Sequence, residues 1–252
     1  MRRARIAFKG ATQWAEVRED GALLRLRGGE TIAAQEAQWL PPAVPGASIF
    51  ALGLNYADHR KELGFKTQDP PLIFLKGPNS LVGHSGHTVR PADANQMHPE
   101  CELVAIIGRP AHRVEANQAL DHVGGYTIAC DYAIREYLEN YYRPNLAVKN
   151  RDATTPLGPW MTDASDIADP QMLALRTLVN GQVVQEGSTS DMIMGVADLV
   201  AYLSETMTLM PGDMIMTGTP QGLHFCAAGD EVVCEIEGLG RLANRLVAEA
   251  AA

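Results

Sequence analysis

Apolar and polar residues alternate through much of this chain in short stretches broken by glycine and proline, a pattern that predicts strands far more often than helices. Arg5–Lys9, Trp14–Arg18 and Leu23–Arg27 read as strands of a small β unit, with a turn at Asp20-Gly21. Leu40-Pro41-Pro42-Ala43-Val44-Pro45-Gly46 follows as a connector, because proline suits neither a helix interior nor a central strand. It divides the chain into a small N-terminal β segment, residues 1–45, and a main domain, residues 46–252. There, Ser48–Gly53 predicts a strand and Asn55–Gly64 a short helix, with Asn55 as its cap and Gly64 as its stop. His59 and Glu62, three residues apart, share one face of that helix. Leu72–Leu75 is an apolar strand delivering Lys76 beside the turn at Gly77-Pro78.

Val114–Val123 predicts a helix closed by Gly124-Gly125, Tyr126–Cys130 a strand, and Tyr132–Tyr142 a helix stopped by Pro144. Asn180-Gly181 between β-prone flanks makes Leu175–Gln185 the strongest hairpin signal, and Ala197–Met207 is an amphipathic helix with Leu199, Val200 and Leu203 on its apolar side. Met214–Thr217 is a strand broken at Gly218-Thr219-Pro220-Gln221-Gly222, and Glu231–Ile236 with Arg241–Val247 forms a last hairpin. Strands do not alternate regularly with helices, so the expected class is strand-rich α+β, a mixed, rolled β architecture with short helices, and not a doubly wound sheet.

One stretch places charge where the pattern calls for a core. In Met97-His98-Pro99-Glu100-Cys101-Glu102-Leu103-Val104-Ala105-Ile106-Ile107-Gly108, two carboxylates stand at the entry of a run apolar and β-branched enough to be a buried strand. An extended backbone turns Glu100 and Glu102 to one face and Cys101 to the other. Carboxylates held that close repel unless a positive charge lies between them, and a hard divalent cation answers that need, with Asp131 offering a third oxygen ligand. An ordinary Glu-x-Glu pair on a solvated strand face is the competing reading, and the motif alone leaves both open.

Composition narrows the field. A chain of 252 residues, 46% hydrophobic and 20% charged, has the make-up of an ordinary globular protein. A net charge of −9 without a basic block argues against nucleic acid as a partner. No run is long enough to span a bilayer, and Met1–Gly10 lacks the apolar core of a signal peptide, so the expectation is a cytoplasmic protein with no membrane partner. Cys101, Cys130, Cys226 and Cys234 lack Cys-x-x-Cys spacing and are expected to be buried free thiols.

Five motifs in order, Gly53-Leu54-Asn55-Tyr56-Ala57-Asp58-His59, Phe74-Leu75-Lys76, His98–Leu103, Gly125-Tyr126-Thr127 through Asp131, and Pro211-Gly212-Asp213 through Thr217-Gly218-Thr219-Pro220, resemble the fumarylacetoacetate hydrolase superfamily from about residue 46 onward. The resemblance implies a mixed β-roll with flanking helices, Mg²⁺ or Mn²⁺ bound by Glu100, Glu102 and Asp131, and a homodimer or larger assembly. Within the superfamily, Asp131–Leu146, Val148-Lys149 and Arg151-Asp152 are similar to the homoprotocatechuate (4-hydroxyphenylacetate) degradation enzymes. That branch decarboxylates 5-oxopent-3-ene-1,2,5-tricarboxylate and isomerises 2-hydroxyhepta-2,4-diene-1,7-dioate. Some members carry two repeats on one chain. This sequence has one, matching the C-terminal, metal-binding half, and departs from the pattern at Ala147, where a basic residue is expected.

The resemblance implies catalysis through a metal-stabilised dienolate, with a polyanionic dicarboxylate or tricarboxylate as substrate. Lys76, Arg135 and Lys149 are the candidate cations for it, Lys149 also as a proton carrier; Lys76 and Arg135 read equally as surface salt-bridge partners. His59 and Glu62 resemble the dyad with which family hydrolases activate water, and in an isomerase would shuttle a proton. Thr219 is either a contact to the substrate carboxylate or part of a rigid turn, Asp152 either orients Lys149 or starts a turn with Ala153, and His98 is a candidate support for the ligands. Rival expectations are an acylpyruvate hydrolase or oxaloacetate decarboxylase of the same fold, and a non-catalytic subunit that pairs with a homologous second chain.

Overall fold

Strands dominate the computed structural model, which describes residues 1–62, 71–138 and 145–250. The N-terminal segment contributes β1 (Arg2–Phe8), β2 (Ala11–Arg18), β3 (Leu23–Arg25), β4 (Thr31–Ala33) and β5 (Gln38–Leu40). After the proline connector come β6 (Ile49–Gly53), α1 (Ala57–Glu62), β7 (Leu72–Leu75), β8 (Leu81–Val82), β9 (Gly86–Arg90), β10 (Met97–His98) and β11 (Cys101–Ile107). Next are α2 (Ala116–Ala119), β12 (Val123–Cys130), β13 (Ala133–Ile134), α3 (Leu146–Lys149), β14 (Thr155–Asp163), β15 (Ala174–Val179) and β16 (Gln182–Ser188). The chain ends through α4 (Val196–Thr206), β17 (Met214–Met216), β18 (Glu231–Ile236) and β19 (Gly240–Ala248).

The main sheet runs β4-β3-β2-β1-β14-β12-β11-β17-β6-β7, with β5 beside β1 and β8 beside β14, and a second sheet runs β16-β15-β18-β19-β9. Parallel pairs β17–β6, β14–β8 and β19–β9 sit among antiparallel ones, giving the mixed, strand-rich α+β architecture expected from the pattern.

β11 lies inside the main sheet between β12 and β17, and both its faces are buried. Leu103, Ala105 and Ile107 join the large core formed with the second sheet and with Leu199, Val200 and Leu203 of α4. Val104 and Ile106 face the other way, against Ile49, Ala51, Ala129, Leu157, Met214 and Met216. The period of two therefore carries Glu102 and Glu100 onto the face of Val104, and Asp131 onto that of Ala129 in the neighbouring strand, while Cys101 joins the large core. Apolar packing around β11 and β12 fixes where the acids emerge. All four cysteines are free and buried.

Several elements differ from expectation. The helix expected over Val114–Val123 is shorter, α2 passing into a 3-10 turn at Leu120–His122, and Gly124 and Gly125 are not its stop but lie inside β12, which Val123 already begins. A Cβ on Gly124 would lie 2.8 Å from the Gly108 Cα, so glycine here serves the approach of two backbones. Tyr132–Leu138 is not an α-helix; its helical character is one 3-10 turn, Arg135–Tyr137. Ala133 and Ile134 pair with β10, and Tyr132 is fully buried with its hydroxyl donating to Asn244 Oδ1 at 3.2 Å, so tertiary pairing overrides local propensity. The expected remainder of that helix, residues 139–144 with Pro144, lies outside the described residues, as does the Gly64 stop of α1. Asn55 does not cap α1: its Nδ2 donates to Met194 O at 3.0 Å and to Thr217 O at 2.9 Å, tying the chain before α1 to the end of β17.

Candidate metal and substrate site

Glu100, Glu102 and Asp131 converge where β11 begins and β12 ends, offering carboxylate oxygens that all lie within 4.8 Å of one another. At 8% and 0% exposure, Glu100 and Glu102 are not on a wet strand face. The backbone supports the cluster: Asp131 N–H donates to Glu100 O at 2.9 Å, and Gly218 N–H, just past β17, to Glu102 Oε2 at 2.8 Å.

Two buried lysines meet these acids. Lys149, at the end of α3, donates from Nζ to Glu100 Oε2 at 2.6 Å and stands 3.0 Å from Asp131 Oδ2. Lys76, just past β7, donates to Asp131 Oδ1 at 2.7 Å and to Lys149 O. These contacts exclude the reading of Lys76 as a surface residue. Burial alone would lower the pKa of Lys149, but Asp131, Glu100 and Glu102 outweigh it and hold the ammonium charged. For Lys76 burial wins over Asp131 and the pKa is lowered. Burial would raise Glu100, yet Lys149, His98, His59 and Arg135 take it down to about 2. Glu102 is pushed well above the usual carboxylate range by burial, with Asp131 and Glu100 as like charges.

The donor set fits a hard divalent cation. It is all oxygen, Glu102 Oε1 is buried without a hydrogen-bond partner among the described residues, and Glu102 is disfavoured as a carboxylate until positive charge arrives.

Around this cluster stand the other candidates. His98 is buried, and burial lowers its pKa to about 3, so the neutral ring accepts at Nε2 from Arg135 Nε at 3.0 Å. The same Nε2 is 3.6 Å from Glu100 Oε1. His59 is 5% exposed and places Nδ1 3.1 Å from Glu62 Oε2, which excludes a solvated helix residue. Glu62 also accepts from the backbone N–H of Gly222 and, at 3.1 Å, of Leu223. Burial works against its charge, but these amides and His59 hold the carboxyl below its ordinary range. The loop 218–223 therefore touches the acid cluster at Glu102 and the dyad at Glu62, and Thr219 sits buried between. Asp152 does not orient Lys149; it accepts from Asn79 Nδ2 at 2.8 Å at the surface, and Ala153 takes the turn conformation with φ 54°.

Gln185 was not singled out by sequence. It is buried on β16 and donates from Nε2 to Thr219 Oγ1 at 2.9 Å and to Pro220 O at 2.8 Å. Counting back from Asn180-Gly181 by simple pairing sets Val184 opposite Thr177, but a bulge puts Gln185 there instead.

The protein is of a class in which a mixed β architecture delivers, from its central strands, a buried all-oxygen acid cluster able to hold a metal ion. The family model described as fumarylacetoacetate (FAA) hydrolase C-terminal matches residues 48–247, and the chain belongs to that family. It is 54% identical over 211 residues to the 4-hydroxyphenylacetate degradation bifunctional isomerase/decarboxylase of Salmonella dublin, a match covering 84% of this chain and 49% of the relative. The chain spans about half the length of the curated relatives it matches first. The crystal structure of 2-hydroxyhepta-2,4-diene-1,7-dioate isomerase from Mycobacterium marinum superposes with a TM-score of 0.87 at 34% identity, covering all of both chains. Maleylpyruvate hydrolase from Sphingobium sp. SYK-6, solved with manganese(II) and pyruvate, superposes at 0.84 with 26% identity over 99% of this chain and 100% of that one. No helix among the described residues is long and apolar enough to cross a membrane.

Proposed function

We propose that the chain is a divalent-metal-dependent isomerase/decarboxylase of aromatic catabolism acting on 2-hydroxyhepta-2,4-diene-1,7-dioate and 5-oxopent-3-ene-1,2,5-tricarboxylate. The observation that carries the reading is the buried acid cluster with lysines and an arginine set around it, since a polyanion approaching three carboxylates needs fixed cations beside them. Its relationship to the Salmonella dublin enzyme and the match to the Mycobacterium marinum structure support the substrate class.

Glu100, Glu102 and Asp131 are the proposed ligands of Mg²⁺, with Mn²⁺ as the alternative. When bound there, the cation would supply a Lewis acid for negative charge developing on the oxo or hydroxyl oxygen that adjoins the carboxylate of the substrate's 2-oxo-acid end. Lys76 and Arg135 take substrate carboxylates, Arg135 being aimed by its bond to His98. Thr219 offers its hydroxyl to the substrate carboxylate at the 2-oxo-acid end. His59 shuttles the proton that leaves the 2-hydroxyl and returns at a carbon of the dienolate, with Glu62 fixing the ring through Nδ1, and Lys149 serves as a charged donor at the same face. A homodimer in the cytoplasm goes with this reading.

The test is turnover by the purified chain with Mg²⁺ and with EDTA, on both proposed substrates and on acetylpyruvate and oxaloacetate. Metal-dependent consumption of the first pair, lost in Glu100→Ala, is the expected result. Consumption of acetylpyruvate or oxaloacetate alone would replace the substrate assignment, and no turnover at all would favour a non-catalytic partner subunit.

A further inference from the structure

Gln185 lies outside the candidate site, yet its amide is the hub of four hydrogen bonds that reach it. Oε1 accepts from Thr177 Oγ1 at 2.7 Å and from the backbone N–H of Cys101, the residue between the two glutamates, at 3.4 Å. Nε2 donates to the backbone carbonyl of Pro220 at 2.8 Å and to Thr219 Oγ1 at 2.9 Å. Side-chain amides are usually ambiguous in orientation, but here two backbone groups decide it. A main-chain N–H only donates and a main-chain carbonyl only accepts, so oxygen must face Cys101 and NH₂ must face Pro220. The second NH₂ hydrogen then falls on Thr219, whose hydroxyl has to accept.

A hydroxyl that accepts keeps its own hydrogen for another acceptor. The Thr219 hydroxyl hydrogen has no protein acceptor among the described residues, and the side chain is 3% exposed, so it is a buried donor awaiting one. Close packing holds the arrangement still. A Cβ on Gly187 would lie 2.7 Å from Pro220 Cβ, and one on Gly222 would lie 2.8 Å from Gln185 Cβ, so the loop is pressed flat on β16 with no room for a side chain.

We propose that Gln185 is a positioning residue: it turns the Thr219 hydroxyl into an obligate donor aimed at the substrate carboxylate, and thereby sets affinity for the 2-oxo-acid end of the substrate. The inference rests on the reading of Thr219 given above. It goes further in assigning the direction of that contact to a residue on a different sheet, bonded to the same strand end that carries the acids.

The experiment is a double-mutant cycle of Gln185→Met with Thr219→Val, read as KM and kcat for whichever substrate is consumed and as the Kd of pyruvate with Mn²⁺ bound. Each single variant is expected to raise KM and Kd about tenfold with kcat within about threefold and Mn²⁺ affinity unchanged, and the double variant to be no worse than either. Losses that multiply, or a fall in kcat and Mn²⁺ affinity without a change in KM, would reduce Gln185 to a structural residue and overturn the proposal. If Thr219→Val leaves KM and Kd unaltered, the reading of Thr219 falls and this inference with it; if only Gln185→Met is silent, the inference alone falls. Should Gln185→Met not fold, a crystal structure of the unaltered chain with Mn²⁺ and pyruvate decides. Thr219 Oγ1 within hydrogen-bond distance of the carboxylate and still of Gln185 Nε2 supports the proposal, and loss of either contact overturns it.

Discussion

Lys149 occupies the position of a counter-ion, 2.6 Å from Glu100 Oε2 and 3.0 Å from Asp131 Oδ2. Removing one member of a buried ion pair leaves its partner charged and unmatched, at a cost of about 3–5 kcal/mol. Lys149→Met is therefore expected to destabilise the metal-free chain by about 3 kcal/mol, and to enlarge the rise in melting temperature on adding Mg²⁺ because the Lys149 ammonium no longer competes for Glu100 Oε2 and Asp131 Oδ2. Calorimetry in EDTA and in Mg²⁺ measures both; equal melting temperatures for variant and parent in EDTA would sink the counter-ion role. At this scale the sequence was informative where a strand's period of two controls direction. Glu100 and Glu102 lie one period apart, and Lys76 follows the last residue of β7, so each side chain's destination follows from its strand. Gln185 was hidden because the bulge at Val184 shifts its partner by one, and Asp152 misled because adjacency to Lys149 in sequence does not survive the turn at Ala153.

Elements were legible when their signals were local. Asn180 and Gly181, with φ 50° and 79°, make the left-handed turn that the Asn-Gly pair calls for, and α4 buries Leu199, Val200 and Leu203 as its periodicity requires. Gly124 and the segment after Asp131 were illegible because their reasons are tertiary: one backbone against Gly108, and one strand pair with Met97 and His98. A tertiary contact also governs the segment between β8 and β9. His84 accepts from Ala243 N–H through Nδ1 at 3.1 Å and meets Trp39 edge-on at 5.3 Å, and burial pushes its pKa from 6.5 down to about 4. The unfolded chain takes up this proton near pH 6.5 and the folded chain only near pH 4, so stability present above the unfolded value is lost as pH falls through that window. Allowing for partial exposure, the loss is of order 2 kcal/mol. His84→Asn, which keeps an acceptor but cannot take the proton, is expected to show a shallower decline in urea-derived stability between pH 7 and 4.5. Parallel declines in the two chains would rule out His84 as the titrating group.

At the scale of the whole molecule, the first 45 residues have a core of their own but not a sheet of their own. Ala4, Ile6, Ala15, Val17, Leu24, Leu26 and Ile32 pack together, yet the cluster is completed by Trp160 of β14, and β1 pairs with β14 through Arg2↔Thr162 and Arg3↔Met161. Trp160 is wedged between two glycines: a Cβ on Gly21 would lie 2.8 Å from its ring and one on Gly240 2.5 Å. The proline connector is a division between cores crossed by a continuous sheet, and strand pairing of such distant segments was not legible from a boundary signal that is purely local. Because β14 also pairs with β12, which carries Asp131 at its end, the N-terminal strands brace the acid cluster from the side. Deleting residues 1–45 strips one flank of β14 and uncovers Trp160, whose burial alone is worth about 4–6 kcal/mol at ~25 cal/mol per Å² over the ~150–250 Å² an indole hides. A freed strand edge beside an exposed indole also invites association. The 46–252 fragment is expected to melt well below the full chain, with red-shifted tryptophan emission and concentration-dependent self-association, whereas the full chain unfolds in one transition followed identically by fluorescence and circular dichroism. A fragment that melts with the full chain and stays monodisperse would make residues 1–45 an appendage; the shared sheet predicts that metal affinity falls along with its stability.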